Sequence, residues 1–153
     1  MTLDEIQKQH DAALMPTYGR FPVAQIDFSD PEFPGTVTLT ALNPMIPLNP
    51  DDSSLPAAMF DLCFRNSTDA PMTYTGALTL QSPFESSVNR DASDASGALL
   101  HCCDGGHTPD DPAYGDLTVA CLDANTSVQP NWYRGRWQDG IVMFWNEFAS
   151  GAP

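Results

Sequence analysis

The chain has 153 residues, enough for one domain that buries a real core. Six Lys and Arg against 20 Asp and Glu leave a net charge of −14, a field that repels phosphate backbones and anionic headgroups and excludes nucleic acid and membrane surfaces as partners. No apolar run approaches the roughly 20 residues of a membrane span, and four cysteines without a secretion signal read as free thiols of a cytoplasmic protein.

The opening, MTLDEIQKQHDAALMP, has neither the basic nor the apolar region of a signal peptide. It reads as a short helix over residues 1–16, with Thr2 and Glu5 spaced as a capping box, Leu3, Ile6 and Leu14 as a sparse apolar side, and Pro16 as the stop. From residue 17 to 130 the period changes to two. Strands are expected at FPVAQIDF (21–28), GTVTLTAL (35–42), AAMFDLCF (57–64), MTYTGALTL (72–80) and GDLTVACL (115–122), with a shorter sixth at ALLHC (98–102). Threonines alternating with aliphatics are the mark of antiparallel strands with one wet face. Between them, Pro34, Pro44, Pro47, Pro50 and Pro56 stiffen a crossover that presents Met45, Ile46 and Leu48. Residues 81–96 read as a polar loop that runs into an acidic loop insert near 85–112. The fold class that follows is all-β: an antiparallel β-sandwich flanked by a short N-terminal helix and a C-terminal amphipathic helix. Five strands and a short sixth fall below the seven or more a sandwich takes, so the sandwich is expected to be incomplete.

The last segment, 131–153, holds all three tryptophans. Trp137, Ile141, Phe144 and Phe148 recur at helical spacing, and Trp145 widens the stripe. Such a helix either packs on its own core or meets another partner. Arg134 and Arg136 between the tryptophans either grip a carboxylate or snorkel from the helix start.

Catalytic chemistry is not visible. There is no Gly-x-Ser-x-Gly elbow, phosphate-binding glycine loop or His-Glu-x-x-His, and carboxylate pairs can be nominated anywhere in so acidic a chain. His101-Cys102-Cys103-Asp104, with His107 and Cys121, is the nearest approach to a metal cluster. Zinc ligands are normally spaced C-x₂₋₄-C, and adjacent strand cysteines point to opposite faces, so no metal site and no cofactor are expected.

Three stretches together resemble one family. FPVAQIDFSDPEFPGTVTLTALNPMIPLNPDDSSLPAAMFDLCFRNSTDAP is similar to the second half of the amino-terminal domain of glycoside hydrolase family 116, the β-glucosidase and non-lysosomal glucosylceramidase group. AYGDLTVACLDAN resembles a later strand of that domain, and NWYRGRWQDGIVMFWNEFASG the segment that closes it. The resemblance runs from about Arg20 to Gly151 and is weakest in the acidic insert. It implies a sandwich packed on an (α/α)₆ catalytic domain whose glutamate nucleophile and aspartate acid/base lie beyond this sequence, so no catalytic residue is assigned to it. It also implies that the chain is an interior fragment, that any β-glucoside is met only through that absent domain, and that Trp137, Ile141, Phe144, Trp145 and Phe148, with Met45 and Ile46, are interface candidates. Left uncovered, the aromatic helix would favour self-association. The alternative is a free-standing carbohydrate-binding module with Trp132, Tyr133 and Trp137 as stacking platforms.

Overall fold

Gly35–Leu42, where threonine and aliphatic residues alternate most regularly, becomes an inner strand of a four-stranded antiparallel sheet. The structure is a computed structural model; it describes residues 17–123, 125–133, 135, 137 and 139–151, and the helix expected over 1–16 lies outside these. The chain divides into two compact units, Met1–Ala77 and Leu78–Pro153.

In the first unit, β1 (Thr17–Arg20), β2 (Val23–Phe28), β3 (Gly35–Leu42) and β4 (Met59–Asn66) pair in chain order. Register follows the alternation. Val37, Leu39 and Ala41 stand opposite Phe28, Ile26 and Ala24 on one side and Phe64, Leu62 and Phe60 on the other, so the apolar residues share a face. On the opposite face the Asp27 carboxylate accepts from the Gln25 amide at 3.0 Å and from the Thr38 hydroxyl at 2.8 Å, which satisfies its charge with neutral donors. Gly35 is buried where a Cβ would lie 2.5 Å from the Arg65 carbonyl oxygen, a close approach that only glycine allows.

The proline-rich crossover holds itself together. The turn α1 (Pro50–Ser53) is capped by the Asn49 side chain, which accepts from the Asp52 N–H. The Ser53 hydroxyl accepts from the Ile46 N–H and donates to the Ile46 carbonyl, both at 2.9 Å. Met45 and Ile46 are exposed on this loop.

The expected strand at 72–80 has no ladder. Asn66 folds the chain back at once: its carboxamide oxygen accepts from the Thr68 N–H and hydroxyl, and its NH₂ donates to the Ala70 carbonyl. The Tyr74 ring then stacks on Phe64 at 5.4 Å and its hydroxyl donates to the Pro34 carbonyl at 2.7 Å. These contacts draw the segment over the sheet's apolar face and away from its hydrogen-bonding edge.

In the second unit, β5 (Ser87–Asp91), β6 (Ala98–Asp104) and β7 (Asp116–Cys121) form an antiparallel sheet with β6 in the middle. The middle strand carries the buried residues Ala98, Cys102 and Cys103. Part of the stretch read as a polar loop is therefore strand β5. Its side chains, SVNRD, carry almost no hydrophobic alternation, and the ladder to β6 supplies what the pattern lacks. The β5–β6 hairpin is built from paired Asp-x-Ser turns, in which Asp91 accepts from the Ser93 N–H at 2.9 Å and Asp94 from the Ser96 N–H at 2.7 Å. Asp30, Asp104, Asp111 and Asp123 each accept from the N–H two residues on in the same way.

The C-terminal helix, α2 (Gly140–Ala149), ends at Ser150, and Gly151 follows with a φ of 71°, the left-handed stop glycine permits. It starts later than the spacing suggests, so Trp137 lies before it. The all-β class expected from the alternation is what the structure shows: among the described residues there are two antiparallel sheets, the four-residue α1 and the ten-residue α2.

Candidate functional site

Helix α2 and the segment leading to it bring the aromatic residues together. Asn89, on β5, anchors that segment by donating its amide to the Pro130 carbonyl at 3.1 Å and to the Asn131 side chain at 3.2 Å. Trp132 then stacks on Phe144 with centroids 4.7 Å apart and planes 7° from parallel, and Phe144 continues the stack to Phe148 at 5.7 Å. Gly140 permits this approach, since a Cβ there would sit 2.8 Å from the Tyr133 carbonyl oxygen.

The expected stripe is therefore divided. Phe144 and Phe148 are half-buried in the stack, whereas Ile141, Val142, Met143 and Trp145 are exposed along the rest of α2. Ile141 is 53% exposed and Trp145 41%, and these two lie one turn apart on the same side of the helix. Trp145 keeps one tilted contact, to Phe148 at 6.0 Å. Trp137, outside the helix, is 88% exposed, and Tyr133 is 57% exposed. Of the stacking platforms, Trp132 has one ring face occupied by Phe144. The Asp139 carboxylate lies against Gly135, and among the described residues its Oδ1 has no hydrogen-bond partner. Arg134 and Arg136 fall outside the described residues.

The period of two on β6 sets Cys102 and Cys103 on opposite faces. Burial pushes the Cys102 thiol above its usual range. Cys103 shares its face with Arg90, His101 and Asp116, a grouping that sequence spacing alone did not single out. Its signal is the alternation along each of the three strands. The Cys103 thiol donates to the Val88 carbonyl at 3.5 Å and accepts from the Arg90 guanidinium at 3.6 Å, so it is tied down and screened. His101 meets Asp116 at 3.4 Å. Among the described residues no group of three or more His, Cys, Asp or Glu could hold an ion. Beyond the strand end, His107 Nδ1 lies 2.5 Å from Asp104 Oδ2, and this bond with the Gly106 N–H holds the Asp104 carboxyl below its usual range. None of these groupings pairs an activated nucleophile or a matched acid and base beside a binding cleft.

Two antiparallel sheets, a stiff proline-rich crossover and a closing aromatic helix are thus the parts to be accounted for. The sequence profile of the N-terminal domain of β-glucosidase 2, glycosyl-hydrolase family 116, matches residues 2–152. The chain belongs to this family. Nearly its whole length is covered, so the three stretches that carry the resemblance, and the insert between them, fall within one domain of the glycosyl-hydrolase. That domain is a non-catalytic, N-terminal one, and an N-terminal domain implies a parent with a catalytic domain. A search of curated proteins gave no match. Among the described residues, no helix of this family 116 domain is long and apolar enough to cross a membrane.

Proposed function

We propose that the chain is an accessory domain of a β-glucosidase or glucosylceramidase that packs on an (α/α)₆ catalytic domain through the outward side of α2 and takes no part in bond cleavage. The observation that carries this reading is the division of the helix. Its inward rings are consumed in the Trp132–Phe144–Phe148 stack, while Ile141, Val142 and Trp145 leave a contiguous apolar strip uncovered. Strips of this kind mark interaction surfaces on soluble domains. The crossover loop adds Met45 and Ile46, held out by the Ser53 clamp, as a second apolar contact.

The test supplies the parent's catalytic domain as a separate chain. Co-purification should be lost in I141S/W145S while the domain's own unfolding midpoint moves little. Retention of the complex by that variant sinks the packing role.

A second reading rests on Trp137 and Tyr133, whose rings are open enough for sugar stacking. Titration with a cello-oligosaccharide decides it: saturable quenching of tryptophan fluorescence that disappears in W137A supports a carbohydrate-binding module.

A further inference from the structure

Residues 71–82 run without a turn, bend or helix and without a ladder. Among the described residues, none of their main-chain N–H groups donates a hydrogen bond to any acceptor. Unpaired main-chain groups in an extended segment template the addition of another strand. The segment packs Tyr74 and Gly76 over the Phe64 and Leu62 side chains of β4, on the apolar face of the sheet, so its own main-chain N–H groups are left unpaired. Met72, Leu78 and Leu80 are exposed along it.

Two further properties choose the partner. Between Asp69 and Glu85 the chain carries no charged residue, in a molecule of net charge −14. Two copies that meet along this stretch bring no like charges face to face, and only the longer-range repulsion of their net charges opposes them. The stretch M-T-Y-T-G-A-L-T-L is also nearly symmetric about Gly76. Aligned antiparallel with itself about that residue, it sets Met72 opposite Leu80, Tyr74 opposite Leu78, Thr73 opposite Thr79 and Thr75 opposite Ala77. The large apolar side chains then face one side of the ribbon, and the threonines with Ala77 the other, as cross-strand pairing requires.

We infer that residues 72–80 are a strand-addition site whose occupant is the same segment of a second copy, forming a two-fold antiparallel ribbon centred on Gly76. A two-fold interface of this kind buries the same surface of both copies and closes on itself.

The experiment is sedimentation velocity over a concentration series, with amide hydrogen exchange read on the same samples. A dimer is expected that tightens with added salt as screening reduces the repulsion between copies. Exchange at 73–79 should slow as the dimer fills. In T75D/A77D the two introduced carboxylates face each other across the ribbon twice, and the dimer dissociation constant should rise about tenfold or more. In T75K/A77D opposite charges face instead, and the dimer should be kept. Both variants place two charges at the same exposed positions, so a difference between them reports pairing rather than folding. A chain that stays monomeric throughout, exchange at 73–79 independent of concentration, a dimer insensitive to T75D/A77D, or one lost equally in both variants overturns the inference.

Discussion

Truncating Phe144 to alanine should destabilise the C-terminal region several times more than replacing Trp145 by serine, although tryptophan is the larger residue. Phe144 is half-buried between Trp132 and Phe148. Half of the area a covered aromatic buries, at about 25 cal/mol per Å², is worth about 2 kcal/mol. Two stacked pairs are lost as well, at about 0.5–1.5 kcal/mol each, which brings the cost to about 3–5 kcal/mol. Trp145 keeps a single tilted contact and a large exposed fraction, so its replacement by serine should cost about 1 kcal/mol. The assay is urea unfolding followed by the amide signals of α2, which report the stack locally and avoid treating two units as one transition. If W145S unfolds at lower urea than F144A, the outward side of α2 is covered by its own chain, and the division of the helix into inward and outward rings is refuted.

Gly35→Ala should cost about 1–3 kcal/mol, because the Cβ has no room beside the Arg65 carbonyl, and amide exchange at the Gly35–Asn66 end of the β3–β4 ladder should rise first. In His107→Ala the Asp104 carboxyl should titrate nearer the ordinary carboxylate range, though still held down by the Gly106 N–H; carboxyl carbon shifts in a pH titration measure this. The sign follows from the depressed value. Wild-type stabilisation from Asp104 is fully present above the unfolded-state carboxylate pKa and is lost as pH falls through the folded one, so the two proteins should differ above about pH 4 and converge in strong acid. Thiol reagents should modify Cys63 and Cys121, which are exposed, well before Cys102 and Cys103 in the folded chain, a pattern read by mass spectrometry after brief labelling.

Strands with a clean alternation were legible at sequence level. GTVTLTAL is β3 residue for residue, and GDLTVACL contains β7. There a single property, which side chains face water, decides both element type and register. The segments read differently are those where pairing partners decide. TYGR is too short for periodicity to register and becomes β1 only through its ladder to β2. SVNRD is polar throughout and becomes β5 because β6 offers an edge. MTYTGALTL has the better pattern but is turned aside by the Asn66 side chain and the Tyr74 ring, contacts that no local pattern reveals. At the candidate site, the aromatic clustering was visible from spacing. The start of α2 was not, and with Trp137 placed before Gly140 the apolar stripe faces two ways.

The aspartates of the turns carry a consequence for how the chain's acidity is used. Asp30, Asp91, Asp94, Asp104, Asp111 and Asp123 each shape a bend through one carboxylate oxygen and the N–H two residues ahead. Asparagine offers the same oxygen at the same distance along the side chain. Shape and charge are therefore separable at these six places: the bends would persist with the anions removed. The negative coat can be thinned or thickened over evolutionary time, or by design, to set how strongly copies repel one another, while the geometry of the loops beneath it is conserved.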